Sequence, residues 1–278
     1  MTTLSIDLNC DMGESFGAWT MGQDLEILPL ISSANIACGF HAGDPGTMRK
    51  TVKAAISNGV ALGAHPGLPD LMGFGRRNMA ITPQQAYDMV VVQVGAMAAT
   101  AASQGARLNH VKAHGALYNM AVGDPELTRA LAQAVYDVDR SLTFYALASS
   151  NMARIAQDVG LTVAHEVFAD RTYQPDGSLT PRSRPDAMIE DPQVSIRQVL
   201  RMVQEGRVTA VDGTEVEVQA DTLCIHGDQP GAVVFAQTIR AAFEAAGIAV
   251  RPVAPEAQAA GARSGARPRP ASPNAVRA

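Results

Sequence analysis

An irregular α/β barrel of seven parallel strands is the fold class this sequence predicts, on three observations. Short apolar runs recur along the chain and end on charged or imidazole-bearing residues: LSIDLNCD to Asp11, ANIACGFH to His41, VALGAH to His65, HVKAH to His114, VFAD to Asp170 and LCIHGD to Asp228. Segments with helix start and stop signals separate these runs, the alternation that builds a parallel sheet with right-handed crossovers. Finally, the residues suited to chemistry gather at the carboxyl ends of the runs, where a (β/α) barrel brings its loops together. A doubly wound open sheet is the competing architecture.

Taken in order, strands are expected at 4–11, 34–41, 60–65, 108–114, 142–147, 161–168 and 222–228. Alternation sets the faces: Asp7, Asn9 and Asp11 look one way from the first strand, and His110, Lys112 and His114 share one side of the fourth. Between them, Asp44-Pro45, Thr82-Pro83, Asp124-Pro125 and Asp191-Pro192 open helices with a capping side chain and proline at the first helical position. Gly59, Gly105 and Gly206 close three of these helices, and a further helix runs from Gln229 to Ala246, before Gly247. Val208–Val218 holds Asp212-Gly213 between alternating residues, a hairpin signal. Arg171–Ile189 is a long polar loop after a strand end, the place where lids are found. Residues 1–253 form one catalytic domain, and 254–278, without apolar period, form a disordered tail.

The chain has 278 residues, 47% of them hydrophobic and 18% charged, enough for one large core. Its net charge of −5 argues against nucleic acid, which needs a basic surface. Cys10, Cys38 and Cys224 all lie in strand-like runs without a CxxC pair, and read as buried thiols on the helix-facing side of a cytoplasmic protein. No targeting segment or membrane span is visible.

His41, His65, His114 and His226 each end a strand and each precedes a small residue. One such histidine is explained by a local loop; four in equivalent positions point to a site at the barrel mouth. Asp7, Asp11, Asp170 and Asp228 accompany them. Asp44 reads as a helix cap, and Asp228 reads equally as a cap or a site residue. Asp11 with Asp170 supplies a paired acid and base. A lumen-facing Lys112 needs an anionic partner, Asp7 or Asp11, or an anionic ligand. Arg76, Arg77 and Arg171 sit in post-strand loops suited to a carboxylate. Imidazole and carboxylate are ligand types for zinc or manganese, but HxxxH and HExxH are absent, so no metal ligand is assigned and a divalent metal stays an open alternative. There is no GxGxxG, Gly-Lys-Ser/Thr loop or GxSxG elbow, so no ATP site is visible.

The segments DLNCDMGESFG (7–17), SANIACGFHAGDP (33–45), GAHPGLPDLMGFGRR (63–77), VKAHGALYN (111–119), EVFADRTYQPDGSLTPR (166–182) and CIHGD (224–228) closely resemble the LamB/YcsF family, over residues 4 to about 253. The resemblance implies a barrel of the glycoside hydrolase/deacetylase group. It also implies ATP-dependent cleavage of 5-oxoproline to L-glutamate together with subunits B and C. By position it carries over Asp11, His41, His65, Lys112, His114, Asp170, Arg171 and His226. With these go Asn9, Arg76 and Asn119 as substrate-binding candidates. Lys112 or Arg171 is expected to hold an anion, Asp11 or Asp170 to activate water with His114, and the other histidines to stabilise charge on the lactam oxygen. Two departures stand out: Ala113 replaces the family's proline, and Pro185-Asp186 precedes Ala187 in the lid. The alternative is a stand-alone metal-dependent amidase or deacetylase.

Overall fold

The computed structural model describes residues 4–225, 227 and 231–253. In chain order its main elements are β1 (Ser5–Met12), α1 (Asp24–Ile27), β2 (Ser33–Ala37), α2 (Pro45–Ser57), β3 (Ala61–His65), α3 (Pro83–Ala102), β4 (His110–Val111), α4 (Gly115–Gly123), α5 (Pro125–Asp139) and β5 (Thr143–Leu147). They continue with α6 (Asn151–Val159), β6 (Val163–Phe168), α7 (Pro192–Glu205), β7 (Arg207–Thr209), β8 (Glu215–Glu217), β9 (Thr222–Ile225), α8 (Ala232–Ala245) and β10 (Ala249–Val250). Strands β1 to β6 pair in sequence, all parallel; β9 pairs with β6 on one side and β1 on the other, closing a seven-stranded barrel. The open sheet is thereby excluded.

Local signals are realised as chemistry requires. Asp44 accepts from the Gly46 and Thr47 amides and Asp124 from those of Glu126 and Leu127, while Thr82 and Gln85 form a capping box. The 207–217 segment is the expected antiparallel hairpin, with Gly213 in the left-handed turn conformation. Several strands are shorter than the apolar runs suggested. β2 stops at Ala37 and β4 at Val111, so His41 and His114 sit beyond their strands, in the connecting backbone. Helices α4 and α6 have no Xaa-Pro start and were not legible. His226, Asp228 and the tail at 254–278 lie outside the described residues.

Alternate strand residues, among them Leu8, Ile36, Leu62, Val111, Phe144, Val167 and Leu223, form the apolar layer under the helices. The other face is largely polar, with Leu147 and Phe168 at its upper end. Asp7, Asn9, Asn35, His110, Lys112, Glu166 and Thr222 are all buried inside the barrel. Asp7 is not Lys112's partner, as the sequence had allowed; it sits at the floor. There its Oδ1 accepts from Ser32 (2.6 Å) and Ser33 (2.7 Å), and its Oδ2 from Tyr145 (2.8 Å) and Thr222 (2.5 Å). Burial raises its pKa while these hydroxyls oppose the rise.

Above the floor, the His110 ring stacks on Tyr145 at 4.2 Å and its Nε2–H donates to Asn35 Oδ1 (2.8 Å). Burial, and then the charge on Lys112, push its pKa down to about 3. A pKa lowered on folding means that the unfolded chain takes the proton first. This contribution to stability is therefore complete above the ordinary histidine pKa of about 6.5 and is lost as pH falls toward about 3. Urea unfolding at about pH 6 and about pH 4.5 should show wild type losing about 1 kcal/mol more per pH unit than His110→Gln. Equal slopes would refute this assignment.

Candidate active site at the barrel mouth

The carboxyl ends of the strands open into one cleft of about 510 Å³. Asp11, His65, Lys112 and His114 form its floor; Leu147, Phe168 and Leu179 supply apolar wall; Arg76, Arg171, Arg182 and Asn119 stand around it. The 171–189 segment is ordered by short bridges, Arg171 to Met188 and Tyr173 to Leu179, and contributes Ser178, Leu179, Pro181 and Arg182 to the lining. The segment expected as a lid thus forms part of the cleft wall. Within it the unusual Asp186 is paired with Arg184 at 2.6 Å, which accommodates that departure. Ala113 keeps its place in the lining.

Lys112 is the electrostatic centre of the barrel. Its ammonium lies 2.8 Å from Glu166 Oε1 and 3.1 Å from Asp11 Oδ1, and donates to Asn9 Oδ1 (3.2 Å) and Cys224 Sγ (3.0 Å). Burial opposes that charge, but Asp11, Cys224 and Glu166 together hold its pKa well above the ordinary lysine range. A lysine between two carboxylates has little charge left for an anionic ligand, and the arginines around the cleft are better suited to that expected role. Arg171 suits it: the side chain is buried, Nη2 donates to the Thr180 carbonyl (2.6 Å), and Nε has no partner among the described residues.

Asp11 bridges the two halves of the floor. Its Oδ1 accepts from Asn35 Nδ2 (2.8 Å) and the Lys112 ammonium, while Oδ2 lies 3.3 Å from His65 Nε2. His65 and His114 face each other at 3.0 Å, Nε2 to Nδ1. His41 stacks flat on His114, 3.7 Å away and within 2° of parallel. Burial, reinforced by the neighbouring His65, pushes His114 down to about 3; burial lowers His41 as well. These two histidines are therefore neutral. Glu14 completes the group, 3.6 Å from His41 Nε2 and 3.7 Å from His114 Nδ1. Asp24 and Asp44 hold its loop by accepting from the Gly13 and Gly17 amides. The ligand atoms of Glu14, His41, His65 and His114 all lie within 4.8 Å of one another, an arrangement able to hold a divalent ion.

The fold thus gathers Asp11, His65, Lys112, His114, Arg76, Arg171 and Asn119 at one cleft, with His41 directly behind. Asn9 is a correction. It is fully buried below Lys112, with Nδ2 donating to Thr222 and Glu166 and Oδ1 accepting from Asn35, so it supports the floor and does not reach a ligand. Asp170 is half-buried beside Arg171 and is not part of the lining. Arg77 is bound to Asp70 in the rim. Cys224 points at Lys112 inside the barrel, not toward the helices. Glu14 and Glu166 were missed. Glu166 had a signal, since alternation places it on the same face as Phe168 in a strand with a polar lumen; Glu14 had none, because it lies past the end of β1.

A closed parallel barrel whose mouth carries this histidine–carboxylate cluster matches one family throughout: the LamB/YcsF family model covers residues 6–258, and the chain belongs to that family. Among its relatives is the A subunit of the 5-oxoprolinase of Bordetella pertussis, 66% identical over 247 residues, 89% of this chain and 98% of that one. Its counterpart in Bacillus subtilis is 58% identical over 88% of this chain and 95% of its own length. Among solved structures, a lactam utilization protein from Thermus thermophilus matches with a TM-score of 0.86 at 50% identity, over 89% of this chain and 99% of that one. No helix among the described residues is long and apolar enough to cross a membrane.

Proposed function

We infer that this chain is the A subunit of an ATP-dependent 5-oxoprolinase, opening 5-oxoproline to L-glutamate in the cytoplasm with subunits B and C. The cleft carries this reading. A five-membered lactam bearing a carboxylate calls for apolar wall, a cationic anchor and a group that activates water; Phe168 and Leu179, Arg171 and Asp11 supply these within one cavity. The three buried unpaired cysteines fit a reducing compartment.

The lactam carbonyl is a poor electrophile, which gives ATP its place. Transfer of the γ-phosphoryl group to the lactam oxygen makes the ring carbon attackable. Water adds there, the ring C–N bond breaks as nitrogen takes a proton, and a second water hydrolyses the resulting acyl phosphate to carboxylate and phosphate. In this scheme Asp11, oriented by Lys112 and Asn35, takes the proton from water. Arg171 and Arg182 hold the substrate carboxylate and the phosphoryl group.

Co-expression with subunits B and C, followed by assay of glutamate formation from 5-oxoproline with and without ATP, tests the assignment. Turnover only with ATP is expected, and none with all three subunits present would overturn it. In the same assay Arg171→Ala should raise KM about ten- to hundredfold, the loss of one charge-assisted contact.

A further inference from the structure

The geometry points to a divalent transition-metal centre formed by His65, His114, Glu14 and His41, with zinc the ion its donors favour. The argument rests on where the protons must be. His65 Nδ1 lies 2.7 Å from the Lys112 carbonyl, and His114 Nε2 lies 2.8 Å from the Phe74 carbonyl. A carbonyl only accepts, so both of those nitrogens carry hydrogen. With those hydrogens placed, His65 Nε2 and His114 Nδ1 are the nitrogens left to ligate, and they face each other at 3.0 Å. Two acceptors at that distance repel unless something positive lies between or beside them. A proton shared there would set an imidazolium between Asp11 Oδ2, 3.3 Å from His65 Nε2, and the stacked ring of His41. A metal ion removes the conflict without one.

The dimensions come close to those of a bound ion. Two nitrogens 3.0 Å apart, each about 2.1 Å from one ion, subtend roughly a right angle there, and a tetrahedral zinc opens them to about 3.4 Å. Glu14 supplies the negative donor on the same side. The backbone acceptors behind His65 and His114 are the outer partners that fix a ligating ring's tautomer and aim. Phe74 is set for this: it holds a left-handed φ of 54°, uncommon for a residue with a side chain.

His41 provides a second, independent observation. Its ring is fully buried and neither nitrogen has a hydrogen-bond partner among the described residues. Glycines make room for the ring, since a Cβ on Gly67 would lie 2.4 Å from His41 Nδ1, and one on Gly75 would lie 2.7 Å from its Cβ. Stacked flat on His114, His41 offers a ligand atom within 4.8 Å of those of the other three residues. Ligation there satisfies a nitrogen otherwise left dry.

The inference stands whether or not the substrate is a lactam, and its test needs no turnover. The full chain, purified without a metal-affinity tag and stripped with chelator, is titrated with zinc chloride and separately with cobalt chloride. Metal analysis should give about one zinc per chain, and the cobalt form should show visible bands of a nitrogen- and oxygen-ligated ion. Zinc should also raise the melting temperature. His65→Gln and His114→Gln should each weaken zinc binding about tenfold or more, while Arg201→Ala, far from the cluster, should not. A wild-type chain that retains no zinc and shows only the spectrum of aqueous cobalt would overturn the proposal, and that result depends on no variant folding.

Discussion

Lys112→Met is expected to cost about 3–5 kcal/mol of stability and to reduce turnover about a hundredfold or more. The methionine fills much the same volume, so lost packing is not the reason. The lysine ammonium is the shared partner of Asp11 and Glu166, and Glu166 is fully buried. Without it, two carboxylates face each other in a place with little water. One must then take up a proton or the barrel must open. A second substitution separates the two effects. Lys112→Met with Glu166→Gln removes one of the stranded charges, so it should recover most of the stability while leaving turnover low. Urea denaturation and the ATP-dependent glutamate assay read the two quantities. If the double variant is as unstable as the single one, charge balance is not what Lys112 provides.

Asp11→Asn should act in the opposite way, with large loss of turnover on a nearly intact fold. The amide keeps the shape of the carboxylate and can still accept from Lys112 through its oxygen and donate to His65 Nε2 through its nitrogen. It cannot take a proton from water. The expected result is a drop in kcat of about 10²–10⁴, with KM within a few-fold of wild type, in the assembled enzyme. Unchanged kcat would remove Asp11 from the chemistry and leave it a structural role beside Lys112.

Much of this site was written into the sequence. Strand alternation put Asp11, Lys112 and the histidines on one side, and the capping pairs at Asp44, Thr82, Asp124 and Asp191 located four helices. What alternation could not reveal is depth. Asp7, Asn9 and Asp11 share one face of β1, yet Asp7 meets four hydroxyls at the floor, Asn9 is enclosed by polar side chains, and only Asp11 reaches the cleft. Nor could spacing show that His41, His65 and His114, from three separate strand ends, converge with Glu14. That convergence is made by barrel closure, and ligands brought together by tertiary structure leave no local pattern. Cys224 is expected on the wrong face although alternation puts it with Thr222 and His226, because an apolar thiol reads as a core residue.

The hub at Asp7 bears on how the molecule breathes. Its four hydroxyl donors come from β2 and the residue before it, from β5 and from β9, while the carboxylate belongs to β1. Peeling away any one of these strands leaves a buried charge short of its partners, so partial opening is penalised wherever it begins. The barrel staves are therefore tied into a single cooperative unit, and slow amide exchange should be shared evenly among them. Local fluctuation is left to the loops above the mouth, where substrate must enter and product must leave.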